Sequence, residues 1–273
     1  ESFNKDFLSS PNNINKTRSS SASFGRSLSQ TYNGTLNFNT DFLGKHHIDA
    51  MVGTEYYDTY SNGLSASGSG APSDDFMDLQ YTSSDKDKRI IDSYHTRQRI
   101  LSFFSRVTYD YYEKYLVTFT VRRDGYSKLL NNRWGNFPGV SVGWNLHKEN
   151  FLSDSKIVNT LKLRASYGQN GNVSDNLIGP YQLQGSYGGG KYDGIVGYQL
   201  SGLPFPDLLW ERSATYEFGL ETRLFNRLDL TLAYYNRQTK DKISSFSLPA
   251  TSGLTSITTN LGNMQNRGIE AEL

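Results

Sequence analysis

The sequence predicts an all-β fold, an antiparallel β-barrel of the kind that crosses a membrane with strands. Three observations predict it. Apolar and polar residues alternate with a period of two along most of the chain, the pattern of strands with two unlike faces. The links between these segments are by turns short and long. The polar faces carry real charge, which a small closed core could not bury without pairing every group. Composition agrees: 14% aromatic residues, mostly 19 Tyr and 15 Phe, with 25 Gly in 273 residues, lean towards strands and turns.

Nine segments alternate, and each has its own reason to be a strand. Over 29–40, Tyr32, Gly34, Leu36 and Phe38 share a face opposite Thr31, Asn33, Thr35 and Asn37. Over 46–58, Ile48, Ala50, Val52 and Tyr56 do the same. Leu101, Phe103, Val107 and Tyr109 mark 98–109, and Tyr115, Val117, Phe119 and Val121 mark 115–122. Val140, Val142, Trp144 and Leu146 oppose Ser141, Gly143 and Asn145. Leu161, Leu163, Ala165 and Tyr167 oppose Lys162, Arg164 and Ser166. Ala214, Tyr216, Phe218, Leu220 and Leu224 oppose Thr215, Glu217, Gly219, Glu221 and Arg223. Leu228, Leu230, Leu232 and Tyr234 follow, and Ile269, Ala271 and Leu273 close the series. No amphipathic helix stands out.

The links at 41–45, 110–114, 148–159 and 225–227 are fairly short. Those at 61–93, 127–137, 169–213 and 240–262 are mostly longer and rich in Gly, Ser, Asn, Asp and Pro. Every other link therefore lies on the same side, as in outer-membrane barrels with short periplasmic turns and long external loops. Lys162, Arg164, Glu217, Glu221 and Arg223 are expected to face a wet or plugged lumen, with the apolar faces against lipid. Tyr111, Tyr112 and Tyr115, clustered at one short turn, fit an interfacial aromatic girdle. A barrel with such loops is a large one, and plugged outer-membrane barrels reach about 22 strands. This chain would form under half of one.

Charge and composition exclude other classes. With 28 Lys+Arg against 27 Asp+Glu, a net charge of +1 gives no broad footprint for nucleic acid. Zero Cys excludes a disulfide scaffold, a thiolate zinc site and a cysteine nucleophile. No run of about 18 apolar residues is present to make a transmembrane helix, which leaves a barrel open.

Several segments together resemble the SusC/RagA family of TonB-dependent outer-membrane transporters of Bacteroidetes. They are FSRVTYDYYEKYLVTFTVRRDG (Phe104 to Gly125), NNRWGNFPGVSVGWNL (Asn131 to Leu146) and LKLRASYGQNGN (Leu161 to Asn172). WERSATYEFGLETRLFNRLDLTLAYYNRQTKDKI (Trp210 to Ile243) and NLGNMQNRGIEAEL (Asn260 to Leu273) continue the series, and NGTLNFNTDFLGKHHIDAMVGTEYY (Asn33 to Tyr57) is a weaker member. The resemblance implies a barrel of about 22 strands with an N-terminal plug, energised by TonB. It implies a SusD-like surface lipoprotein as lid and an oligosaccharide or peptide as cargo. The chain starts at Glu1 without Met and stops at Leu273 inside an alternating run. Residues 1–273 are accordingly expected to be a middle part of the barrel, with the plug, the TonB box and the last strands elsewhere.

The remaining motifs carry no chemistry in their context. Gly139-Val140-Ser141-Val142-Gly143 matches G-x-S-x-G, but a hydrolase elbow needs a strand-to-helix turn and this serine lies inside an alternating run. Gly185 to Lys191 nearly matches a Walker A loop, but Tyr192 stands where Ser or Thr should hold magnesium. Asp85, Asp87 and Asp92, with Asp74 and Asp75, lack the central Gly and final Glu of a calcium loop and read as a solvated segment. Adjacent His46 and His47 face opposite sides of a strand and cannot share a metal. Arg123-Asp124-Gly125 reads as a structural turn with a local ion pair. Asn15-Lys16-Thr17, Asn33-Gly34-Thr35 and Asn172-Val173-Ser174 match the glycosylation pattern, which means little in a bacterial protein. No metal, cofactor or catalytic residue is expected.

The loop 169–213 is the best ligand candidate. Tyr181, Tyr187, Tyr192, Tyr198, Phe205 and Trp210 lie in it among many glycines, and aromatic faces on a pliable backbone suit a sugar ring or a peptide side chain. The plain reading of the same residues is packing of the loop on itself or on a lid protein. The expected function is import of a bulky nutrient across the outer membrane. The alternative is a soluble glycan-binding β-sandwich, in which the apolar faces of two sheets meet in a core.

Overall fold

A computed structural model describes residues 2–6, 18–76, 78–193, 195–254 and 256–273. The Asn15-Lys16-Thr17 tripeptide lies outside them. The strands in chain order are β1 (Ser2–Asp6), β2 (Ser19–Phe42), β3 (His46–Ser69), β4 (Arg89–Tyr111), β5 (Tyr115–Tyr126), β6 (Trp134–Asn145) and β7 (Val158–Asn172). They continue as β8 (Ser186–Tyr192), β9 (Ile195–Gly202), β10 (Glu211–Leu224), β11 (Leu228–Lys240), β12 (Ile243–Ser247), β13 (Ser256–Asn260) and β14 (Met264–Glu272). One sheet runs in the order β1-β2-β3-β4-β5-β6-β7-β10-β11-β14, and β8-β9 and β12-β13 are separate hairpins. Among the described residues there is no α-helix.

All nine expected strands belong to this sheet, but several run further than the alternation indicates. β2 and β3 have 24 residues each and β4 has 23. About 9–11 tilted residues suffice to cross a bilayer. The sequence misses the extra length because polar and small residues occupy both faces there, so no apolar period appears. Cross-strand polar contacts hold it instead. The loops expected at 169–213 and 240–262 likewise contain structure of their own, the hairpins β8-β9 and β12-β13.

The chain forms two compact units. The first comprises Glu1–Gln30 and Tyr57–Gln98. Hydroxyls pair across it, Ser27 with Ser61 at 2.9 Å and Ser29 with Thr59 at 3.0 Å. Arg97 grips the buried Asp58 with Nε at 2.9 Å and a terminal nitrogen at 2.5 Å, a bidentate charge-assisted pair.

The second unit comprises Thr31–Tyr56 and Arg99–Leu273. Its strand register is continuous. One row runs Tyr109, Val117, Val142, Ala165, Phe218, Tyr234, Ile269 from β4 to β14. The next row runs Thr108, Thr118, Ser141, Ser166, Glu217, Tyr235, Gly268. Successive strand residues point to opposite faces, so one side is an apolar sheet surface and the other a polar one. The apolar side remains uncovered: Val142 is 47% exposed, Phe218 58% and Ile269 77%. A sandwich would bury these side chains under a second sheet, so that alternative is not the fold found.

Three links are three-residue turns whose first two residues have positive φ: Leu43 and Gly44, Tyr112 and Glu113, Phe225 and Asn226. Such turns match the right-handed twist of antiparallel hairpins. Lys114 N donates to Tyr111 O at 2.9 Å and Arg227 N to Leu224 O at 3.1 Å, closing two of them. An aromatic band lies beside these turns. His46 meets Tyr111 at 4.9 Å between ring centroids, Tyr111 meets Tyr115 at 6.3 Å, and Tyr115 meets Trp144 at 6.2 Å. Tyr115 Oη and Trp144 Nε1 both donate to Glu149 Oε1. These donors, the tyrosine first, hold the Glu149 carboxyl below the usual carboxylate range.

The only sizeable apolar core among the described residues lies at the long-link ends. Tyr126, Leu129, Phe137, Val173, Ile178, Leu183, Leu208, Trp210 and Ile243 are buried together, with Phe205 packed against them. Phe137 fits there because Gly135 and Gly171 leave room: a Cβ on either would sit 2.4 or 2.0 Å from its ring. Leu208→Ala should cost the loop core about 2–5 kcal/mol. The expected result in the full-length protein is faster protease cleavage within 173–210 and an unchanged heat-modifiable band, since loops open separately from a sheet.

Candidate functional site

The polar face of the second unit holds a charged cluster built by register. Glu221 stands opposite Lys162, Glu217 opposite Ser166, and Gly219 opposite Arg164. The guanidinium of Arg164 bends across Gly219 to contact Glu217, and its Nε lies 3.0 Å from Glu221 Oε1. That Nε is off line for a hydrogen bond, so its attraction to Glu221 is coulombic. Lys162 Nζ approaches Glu221 more loosely, at 3.9 Å. Four of the five charged residues expected on the lumen face thus form one cluster. The fifth, Arg223, pairs instead with Asp229 on β11 at 2.6 and 3.0 Å.

Gly219 is what permits the cluster. A Cβ there would lie 2.5–2.9 Å from Arg164 Nε, Cγ and Cζ. Only a residue without a side chain lets the arginine lie flat on the strand.

A second hub centres on Arg122. Its Nε donates to both oxygens of Asp124, at 2.7 and 3.0 Å, and a terminal nitrogen reaches Glu55 at 3.2 Å and Ser102 Oγ at 2.9 Å. The expected turn at Arg123-Asp124-Gly125 is corrected: these residues lie inside β5, and Asp124 pairs with Arg122. Residues two apart share a strand face, whereas Arg123 points to the other side and sits 5.0 Å over the Trp134 ring. The i, i+2 spacing of Arg122 and Asp124 was the signal for this hub.

The aromatic loop divides. Tyr181, Tyr187 and Tyr198 are 48%, 75% and 85% exposed, the last two on the β8-β9 hairpin. Trp210 is 7% exposed inside the loop core, and its Nε1 donates to Arg133 O at 3.2 Å. Packing therefore uses Trp210 and Phe205, and little of the tryptophan is left for a ligand. The side chain of Tyr192 lies outside the described residues. Ser141 sits mid-strand on β6, opposite Thr118 and Ser166, and not on an elbow. His46 bonds Tyr109 Oη at 2.7 Å and His47 bonds Asp41 at 2.8 Å, on separate partners.

Sequence reasoning gives no sign of Lys128. It is buried on the loop core, with Nζ 2.6 Å from Asp175 Oδ1 and 3.0 Å from Ile178 O. Tyr126 Oη donates to the same carboxylate oxygen at 2.7 Å. Burial pushes the Asp175 carboxyl up, but the bonds from Lys128 and Tyr126 outweigh it and hold the group below its ordinary 3.8.

The family model described as TonB dependent receptor-like, beta-barrel matches residues 2–273. TonB-dependent receptor P3 of Formosa agariphila is 36% identical over 252 residues, covering 89% of this chain and 24% of that protein. TonB-dependent receptor SusC of Bacteroides thetaiotaomicron is 32% identical over 240 residues, covering 84% and 23%. The solved structure of the RagAB peptide transporter superposes with a TM-score of 0.88 at 28% identity, covering 98% of this chain and 30% of that one. The chain spans about a quarter of the length of these two receptors.

Two outcomes test the site. Gly219→Ala should destabilise by about 1–3 kcal/mol through overpacking. Adding Arg164→Gln should recover part of that loss, read as a non-additive double-variant cycle in denaturant unfolding. A carboxyl with a depressed folded pKa adds stability that is present above its unfolded value and lost as pH falls through the folded one. Protease resistance of the wild-type loop should therefore fall below pH 3.8, while Asp175→Asn is weaker at neutral pH and loses less on acidification.

Proposed function

This chain belongs to the TonB-dependent receptor-like β-barrel family, and from that premise we propose that it forms a middle part of an outer-membrane barrel that imports a bulky nutrient. Its apolar row from Tyr109 to Ile269 faces lipid. Its polar face, with Lys162, Arg164, Glu217, Glu221 and Arg223, lines the lumen or meets a plug. The observation that carries this reading is the contrast between the two faces of one sheet: large apolar side chains left in the open on one side, ion pairs on the other. Water cannot surround that apolar area cheaply, while lipid can.

The aromatic band from His46 to Trp144 sits at one membrane interface, as belts of Tyr and Trp do in barrels. The short turns beside it are periplasmic, and the long links with their buried core are external. Likeness to SusC and to RagAB supports a SusD-like surface lipoprotein as lid, TonB as the energy source, and an oligosaccharide or peptide as cargo. Tyr181, Tyr187 and Tyr198 are offered to that cargo or to the lid, while Phe205 and Trp210 serve the loop core. These residues act by binding and shaping a path, with no covalent step.

Val142→Arg places a charge on the lipid face and should cost about 2–4 kcal/mol near the bilayer midplane. The expected result is loss of the folded, heat-shifted band of the full-length protein in membranes, with Ser141→Arg on the opposite face tolerated. Deleting the gene should abolish growth on the cognate glycan or peptide. A full-length protein found in the soluble fraction would overturn the proposal.

A further inference from the structure

On the polar face, next to the Arg122 hub, lies a hollow of about 600 Å³, a size suited to a small-molecule unit. Its floor is a register row in which Arg106 opposes Thr120, Thr120 opposes Gly139, and Gly139 opposes Gly168. Two adjacent strands thus present bare backbone at the same level, and the missing side chains make the space. Phe104 and Phe137 form apolar walls. The open character of the floor is plainest at Gly168, where an added Cβ would have nothing within 4 Å.

The charges around the hollow are unevenly committed. Arg122 is spent on Asp124, Glu55 and Ser102. Arg106 is exposed, and no hydrogen bond or ion pair within the described residues engages its side chain. Asn170 lies on the same rim, and its side chain likewise makes no hydrogen bond among the described residues. A planar guanidinium with all its donors available, beside an aromatic wall and a floor bare at Gly139 and Gly168, matches a ring or chain unit that ends in a carboxylate.

We propose that the hollow over Gly139 and Gly168 is a binding subsite for a carboxylate-bearing unit of the cargo, with Arg106 as its fork. The proposal rests on the importer reading and adds the chemical class of what is imported. A peptide C-terminus and a uronic acid residue share this chemistry. Phe104 supplies the apolar contact for either, and Asn170 a neutral hydrogen-bonding group.

The test uses the purified full-length protein and titration calorimetry with four probes: a short peptide with a free C-terminus, its C-terminal amide, an oligogalacturonide, and its methyl ester. One acid probe should bind at least about tenfold more tightly than its neutral partner, a ratio worth 1.4 kcal/mol. Which acid does so identifies the source of the carboxylate. Arg106→Gln should erase that ratio and leave the neutral probe unchanged. Gly168→Leu should fill the hollow and abolish binding of both while the heat-modifiable band persists, because a Cβ at this position meets nothing within 4 Å. Equal effects of Arg106→Gln on acid and neutral probes, wild-type binding by Gly168→Leu, or no binding of either acid to the wild type would each overturn the subsite. The importer reading fails separately, through a soluble parent or unimpaired growth of the deletion strain.

Discussion

Everything in the second unit depends on the antiparallel backbone register. The hydrogen-bonded ladders from β4 to β14 hold each residue opposite one partner, and the pleat sends neighbours to opposite faces. A slip of one residue in any pair would carry the apolar row into the polar side and the ion pairs into the apolar one. Both faces penalise such a slip, which is why a sheet with little packed core can still hold a unique arrangement.

The ion pairs are consequences of register more than causes of stability. Lys162, Arg164, Glu217 and Glu221 are a third to two-fifths exposed, so water screens their attraction. Their value is positional. They keep the polar face populated by charges that satisfy one another, while Gly219 holds the arginine close to the strand. On the same face Arg122 is anchored by carboxylates within reach, whereas Arg106 has no such anchor among the described residues.

The loops obey a different rule. Backbone and side-chain polar groups that leave the ladder need partners, and Glu211 supplies two. It accepts from Asn172 Nδ2 at 2.6 Å and from Ile243 N at 2.7 Å while itself buried. Lys128 does the reverse, donating to Asp175 and to Ile178 O. With these groups satisfied, apolar side chains from distant links close over them. In a TonB-dependent receptor-like barrel, such a core gives long loops a fixed platform without covalent cross-links, in a chain that has no cysteine.

The amino-acid sequence by itself determined nine of the ten strands of the main sheet and which of their residues share a face. The reason is local: side-chain direction in a strand repeats every two residues, so the pattern is written within a few positions of each residue. It also placed Lys162, Arg164, Glu217 and Glu221 on one face. Only the tertiary structure decided that Trp210 is buried while Tyr198 of the same loop stands exposed. It alone paired Arg223 with Asp229 and tied Lys128 to Asp175. It extended β2 to β4 beyond their apolar stretches and left a hollow over Gly139 and Gly168. Each of these rests on contacts between residues far apart in the chain, or on space where no side chain lies, and neither leaves a local period to read.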